Sequence, residues 1–327
     1  MLTMSATLTF PRNVNLQSAA DHPAILVHSA DELRKALRAA RERAVTVDLS
    51  GLNRLLRLDG SRRLVELQAA APWSALQQHG VAVAVQGTIG DAVSVNGPGP
   101  DGTPLVSHVE AITLVTPDGE VRRADRRANP ELFALAIGGQ GLLGVLYSVT
   151  LRLDSLLRSM KRVEEPAVLD VADRCSRSGA TRTVELLAAP ERLDSVVADA
   201  RKLAGERRIG LQRVAVRRLQ PEHETFLRWA TREWAEVRLE YRVGDTLGAW
   251  VHAAEIERLL LDLALANGGS FRIDASPNAS RDQLERCYPQ LADFIAQKKR
   301  IDPAERLQNA WYRRAAAQLR APQLRPL

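Results

Sequence analysis

Short apolar runs and amphipathic stretches alternate through the first half of the chain. Residues 24–29 (AILVHS) form an apolar run that predicts a strand, and SADELRKALRAARERA (29–44) follows with helical spacing. Ser29 opens that segment and Glu32 stands three places on, the pattern of a capping box. VTVDLS (45–50), LLRLDG (55–60) and RLVELQAAAP (63–72), the last alternating around Leu64 and Glu66, predict strands joined by tight turns. PWSALQQHG (72–80) predicts a short helix with Pro72 near its first position and Gly80 as its stop. In HVEAITLVTPDGEVRRA (108–124), Pro-Asp-Gly between a β-branched run and an alternating run predicts a hairpin. NPELFALAIGGQGLLGVLYSVTLRL (129–153) reads as helix, glycine turn, strand.

Beyond residue 154 the pattern changes. An alternating strand and a helix share residues 172–206, and residues 226–245 pass from helical spacing to a strand ending at Gly244. AAEIERLLLDLALANGG is a strongly amphipathic helix with a glycine stop. Residues 280–314 supply two closing helices, broken at Tyr288-Pro289 and Asp302-Pro303. The economical fold class is α+β in two domains: 1–153, 154–282, and a segment 283–327 that returns to the first.

Composition narrows the function classes. A chain of 327 residues and 36.0 kDa is long for one core, which favours two packed domains. No apolar run reaches the length of a membrane span, and the N-terminus lacks the basic and apolar regions of a cleaved signal, so a cytoplasmic protein is expected. The net charge of +6 comes from arginines scattered among acids, and aromatics are only 4%, which argues against nucleic acid as a partner. Cys175 and Cys287 lie far apart with no His cluster nearby, so neither a disulfide framework nor a metal site is expected.

The chemistry concentrates in glycines. QGTIGDAVSVNGPGPDG (86–102) exposes backbone N–H groups and allows close approach to a phosphate or a flat ring. A second cluster, Gly138-Gly139-Gln140-Gly141-Leu142-Leu143-Gly144, lies between a helix and a strand. Neither ends in Gly-Lys-Ser/Thr, and the second has the wrong element order for a dinucleotide fingerprint. Two such loops in one domain suggest a single extended ligand.

On QGTIGDAVSVNGPG, HVEAITLVTPDGE, NPELFALAIGGQGLLGVLYSVTLRL and YPQLADFIAQKKRIDPAERLQNAWY, in that order, the chain resembles the FAD-linked oxidases of the vanillyl-alcohol-oxidase or p-cresol-methylhydroxylase type. The resemblance implies FAD as cofactor, oxidation of an alcohol or sugar-like small molecule, and residues 154–282 as the substrate-covering part. By the same resemblance, Gln86, Gly87, Thr88, Ile89, Gly90, Ser94, Asn96 and Gly97 hold the pyrophosphate and the isoalloxazine edge, the Thr88 hydroxyl among them. Gly139, Gly141, Gly144, Val145 and Leu146 also bind the cofactor, main-chain groups near Gly144 and Leu146 on the adenine side, and Lys298 and Asn309 reach the flavin ring or ribityl chain.

The chain also departs from the family. Relatives carry a glycine-rich and serine-rich loop after the first helix, which wraps the pyrophosphate and in some members bears a covalent His, whereas here ARERA runs directly into VTVDLS. Non-covalent FAD is therefore expected, and a partner protein that completes the phosphate contacts would account for the gap. Asn96-Gly97-Pro98-Gly99 lacks the His that relatives place after Asn, and DASPNASRDQ (274–283) stands where some have an aromatic-His-Arg run, with Ser276 and Pro277 offering no base. The alternative reading is a catalytically degenerate homologue acting as a binding or partner subunit. Tyr241 and Arg242 are candidates to line a pocket over the flavin, while Trp229 and Trp234 fit a core. His108 reads as structural, Asp302 as a turn residue, and His223 with Glu222 and Glu224 as an exposed polar turn. No physical reason for Gln140, in place of a common aromatic, emerges from the sequence.

Overall fold

The computed structural model describes residues 13–16, 24–39, 45–81, 87–163, 166–171 and 179–320. These form two units. The larger comprises the described residues through 163 together with 222–228 and 290–320; the smaller holds 166–221 and 229–289.

Local signals explain the first elements of the larger unit. Strands β1 (Asn13–Leu16) and β2 (Ile25–Leu26) precede helix α1 (Ala30–Ala39), whose start is fixed by the Ser29 hydroxyl accepting from Glu32 N–H at 3.2 Å. The Glu32 carboxylate reaches back to the N–H of His28 at 2.8 Å, one residue earlier than in a standard capping box. Strand β3 (Val45–Asp48) pairs antiparallel with β1 and parallel with β2. Leu33 and Leu37 of α1 pack with Val27, Val47, Leu52, Val115, Val145 and, from far along the chain, Leu307. Full burial of each such leucine contributes about 1.5–3 kcal/mol.

A five-stranded antiparallel sheet in the order β4-β5-β8-β6-β7 carries the second core of this unit. Its strands are β4 (Leu55–Asp59), β5 (Leu64–Gln68), β6 (Val109–Val115), β7 (Val121–Asp125) and β8 (Val145–Arg152). The expected hairpin is β6–β7: Thr116 and Glu120 close the turn, and Gly119 takes a φ of 82° that a side chain would strain. The segment from Pro72 forms a 3-10 helix, Trp73–His79, stopped by Gly80 in the left-handed region. Helices α2 (Ile89–Ser94) and α3 (Pro130–Ala136) flank the glycine stretches, and α4 (Leu153–Met160) follows β8. Leu153 and Leu156 are buried with Val65, Leu67 and Val149, so this unit extends past residue 153.

In the smaller unit, β9 (Ala167–Val171), β10 (Ala180–Ala188), β11 (Leu211–Leu219) and β12 (Trp234–Val243) form an antiparallel sheet ordered β10-β12-β11-β9. Helices α5 (Leu193–Glu206) and α6 (Leu247–Ala266) pack on it, and α7 (Arg281–Cys287) follows. Gln283 donates to Arg258 O and to Asp262, and the Tyr288 hydroxyl donates to Phe271 O. These bonds keep α7 with α6, so the chain returns to the larger unit at residue 290 rather than 283. There it forms α8 (Leu291–Ile301) and α9 (Ala310–Arg320), broken at the two X-Pro steps as expected. The fold is α+β.

Candidate functional site

The first glycine stretch is a helix start, not an open loop. Thr88 caps α2: its hydroxyl accepts from Asp91 N–H, and the Asp91 carboxylate accepts from Thr88 N–H, both at 3.1 Å. The N–H groups of Ile89 and Gly90 donate to Ala71 O and Ala69 O, at 3.0 and 2.8 Å. A Cβ on Gly90 would lie 2.8 Å from Ala69 O, so glycine here lets α2 sit against the chain leaving β5. The amides from Thr88 to Asp91 thus have partners within the fold. The Thr88 hydroxyl, as an acceptor in its cap, keeps a proton to donate.

The end of α2 binds the second glycine stretch. Gly138 N–H donates to Val93 O at 3.0 Å and Gln140 N–H to Ser94 O at 2.9 Å. Gly139 packs so closely that a Cβ would fall 2.2 Å from Leu135 O, and one on Gly144 would fall 2.3 Å from Leu114 Cδ1. Gly141 differs: its φ is 72° and a Cβ would meet nothing within 4 Å. Beside it, Gln140 takes a φ of 59° and buries its Nε2 without a hydrogen-bond partner among the described residues. A buried amide left unpaired costs about 1–3 kcal/mol, so a donor is held ready at an open turn. Val145 and Leu146 are buried in β8.

Two further segments converge on this junction. Asn96, at φ 48°, accepts from Val106 N–H at 2.9 Å through Oδ1 and donates through Nδ2 to Glu222 at 3.4 Å. Glu222, 3% exposed, also accepts from the Glu224 and Thr225 N–H groups and the Thr225 hydroxyl. Asn309 caps α9, accepting from Tyr312 N–H at 2.7 Å, and donates to Gln140 O at 3.0 Å. The side chain of the tail residue Asn309 therefore reaches the main chain of the second glycine turn. Lys298 is fully buried, its Nζ 2.9 Å from Asp302 Oδ2 and 4.7 Å from the centre of the Tyr312 ring. Asp302 Oδ2 accepts from Leu307 N–H as well, so lysine and aspartate fix the turn that delivers Leu307 and Asn309.

Other expected residues fall as follows. Gln86 and Cys175 lie outside the described residues. Gly87 precedes the cap with φ 98°, and Gly97 N–H donates to Ala92 O. Ser94 is buried and supplies its carbonyl to Gln140. His108 is structural: Nδ1 meets the Ser155 hydroxyl at 2.7 Å, and burial, reinforced by Arg152 and Arg158 against Asp101, holds its pKa below the usual imidazole value. Tyr241 is 2% exposed, donates to Ala253 O, and burial pushes its pKa up to about 12. Glu222 is not in an exposed turn: only His223 of that trio is exposed, because Glu222 turns inward to Asn96. The Glu222–Thr225 spacing was the signal available for that turn. No group of three or more potential metal ligands occurs among the described residues.

The smaller unit carries a buried charge cluster that the sequence did not reveal. Arg272 contacts Asp274, Glu185 at 3.6 Å and Glu236 at 3.9 Å, and stacks on Trp229 at 5.5 Å. Burial alone would lower the pKa of its guanidinium, but those three carboxylates outweigh it and raise it. Glu185 likewise stays ionised against burial because Arg272 and Arg238 face it. Trp234 Nε1, Glu236 Oε1 and Ser276 Oγ are buried with no hydrogen-bond partner among the described residues.

Residues 36–125 match the FAD binding domain family. Bovine (Bos taurus) L-gulonolactone oxidase is 28% identical over 155 residues, covering 38% of this chain and 35% of that protein. Decaprenylphosphoryl-beta-D-ribose oxidase of Mycolicibacterium smegmatis is 30% identical over 122 residues, 33% of this chain and 26% of that protein. The chain thus spans about a third or less of the curated relatives it matches. Among solved structures, BBE-like 1 of Physcomitrella patens aligns with a TM-score of 0.64 at 12% identity, over 87% of this chain and 89% of that one, a likeness of fold. The open face at Gly141 and the unpaired Gln140 Nε2 fit such a cofactor, whereas the amides of Thr88–Asp91 are already bonded. Glycine stretches joined through α2, a tail closing on them and the FAD binding domain match over residues 36–125 together support the resemblance to the FAD-linked oxidases and FAD as the cofactor.

Proposed function

We propose that this protein is a flavin-dependent oxidoreductase that oxidises an alcohol or sugar-like substrate and holds FAD without a covalent link. The observation that carries the reading is the Gln140–Gly141 turn, where a buried unpaired donor adjoins backbone that no side chain covers. Gln140 Nε2 and the Thr88 hydroxyl would donate to the cofactor, and Gly141 would admit it to van der Waals distance. The bound flavin supplies the redox chemistry by accepting a hydride equivalent; the protein binds and orients.

For the substrate, both curated relatives bear the names of sugar-derived compounds. The smaller unit offers matching polar chemistry. Trp234 Nε1 donates only, Glu236 Oε1 accepts only and the Ser276 hydroxyl does either, three buried atoms with no hydrogen-bond partner among the described residues. Arg272, fixed between carboxylates, lies 3.9 Å from Glu236 Oε1. A cytoplasmic site of action and a partner protein that completes the phosphate contacts belong to the same proposal. No helix of the described residues is long and apolar enough to cross a membrane.

The test is the visible spectrum of the purified protein, followed by FAD titration and a screen of polyols and sugar lactones for bleaching of the flavin bands. Flavin bands that persist through gel filtration and bleach with a polyol support the reading, and release of the flavin by acid precipitation supports its non-covalent part. A colourless protein that leaves added FAD fluorescence unquenched overturns it.

A further inference from the structure

A second site lies wholly within the smaller unit. A cavity of about 120 Å³ is lined by Arg208, Gly210, Arg242, Gly244, His252 and the start of α6. That is well below the about 300–1,000 Å³ of sites enclosing a drug-sized molecule, so it suits one compact group. Its walls are cationic. Arg242 Nη1 donates to Gly179 O, a neutral acceptor, and the Arg208 guanidinium has no partner among the described residues. Glu255 faces Arg207 at 3.4 Å and His252 at 4.0 Å, and neither Arg208 nor Arg242 has an ion-pair partner among the described residues.

The backbone adds an independent observation. Where α5 ends, Arg208 N–H donates to Gly205 O and Ile209 N–H to Ala204 O, and Arg208 itself takes φ 56°. That is the left-handed position after a helix where glycine is preferred, and an arginine there works against the fold's own preference. Strain of this kind at a cavity wall points to a function for the side chain that pays it. A Cβ on Gly210 would meet nothing within 4 Å, so the cavity mouth is open on that side. On α6 beside it, Leu247 and Val251 are 82% and 62% exposed, one turn apart.

We propose that this cavity binds a phosphate group, held between the Arg208 and Arg242 guanidinium groups. Paired arginines recognise phosphate through charge-assisted hydrogen bonds, and the exposed Leu247 and Val251 would meet apolar chain if the phosphate is a lipid headgroup. The inference is independent of the flavin and its readouts contain none. Inorganic phosphate, against chloride at matched ionic strength, is expected to raise Tm saturably. Arg208→Gly is the decisive variant: relief of the backbone raises Tm in chloride while the response to phosphate disappears. Arg242→Gln and Gly210→Val each weaken binding about tenfold. The lipid arm is co-sedimentation with vesicles of phosphatidylglycerol and phosphatidylcholine, against phosphatidylcholine alone. A phosphate response lost in Arg208→Gly supports a free phosphate ligand. Vesicle binding lost in Arg208→Gly and weakened by Leu247→Ser with Val251→Ser, without a response to inorganic phosphate, supports a headgroup. Neither response, or responses unchanged in Arg208→Gly and Arg242→Gln, overturns the proposal.

Discussion

Two stretches of glycine, 86–102 and 138–144, look alike on paper and do different work. In the described part of the first, glycine lets α2 lie on Ala69, and the amides about the cap are bonded to β5's extension or to Asp91. The second contains both kinds of position: Gly139 and Gly144 are held against Leu135 and Leu114, whereas Gly141 faces open space beside the unpaired Gln140 amide. What separates a packing glycine from one left open is therefore what a Cβ would touch, not how many glycines stand together.

The sharpest way to break this comparison is steric. Gly139→Ala drives a methyl to 2.2 Å from a backbone oxygen at an ordinary φ, and we expect a loss of about 4 kcal/mol in urea denaturation. Gly141→Ala meets no atoms and costs only the left-handed backbone, about 1–2 kcal/mol. Equal losses would remove the distinction. Next in size, Lys298→Met leaves Asp302 as a buried unpaired charge and should destabilise by about 3–5 kcal/mol, with FAD affinity of the folded protein unchanged. A normal Tm with weakened FAD binding would instead put the lysine on the cofactor.

Smaller effects sharpen the site itself. Gln140→Leu should raise the Kd for FAD about tenfold while stability moves by less than about 1 kcal/mol, read by flavin fluorescence titration. Thr88→Ala should cost about 1 kcal/mol through its lost cap, with a weaker effect on FAD than the Gln140 change, and Thr88→Ser should restore the stability. The smallest effect is a pH slope. Burial lowers the folded pKa of His108 beneath its ordinary 6.5, so the unfolded chain binds the extra proton first. Stability should then fall as pH drops below about 6.5 toward the lowered value, by at most about 1.4 kcal/mol per unit, and His108→Gln should flatten that slope.

Elements with local causes were legible in the sequence: the Ser29 start of α1, the Gly80 stop and the Pro-Asp-Gly hairpin all follow from neighbours within four residues. The resemblance singled out the glycine clusters and Asn309, and the fold brings Asn309 onto the second cluster. What escaped were contacts across long separations. Glu222 reads as a surface turn until Asn96, 126 residues away, proves to be its partner. Gln140 has no explanation in sequence because its meaning is a missing partner, which only the folded neighbourhood defines. Arg272 likewise gathers Glu185 and Glu236 from strands that no local pattern places beside it.

The interrupted path of the chain also sets an order of manufacture. When a ribosome has released residue 163, Asn96 still lacks Glu222, the Ala134 carbonyl lacks the Phe226 N–H that binds it at 2.8 Å, and the cluster about Leu33 and Val145 lacks Leu307. The larger unit, though most of it precedes residue 164, still awaits residues 290–320 after the described residues of the smaller unit have been made. Until then its apolar faces stand open to solvent, so the nascent chain is most exposed to aggregation while its second half is being translated.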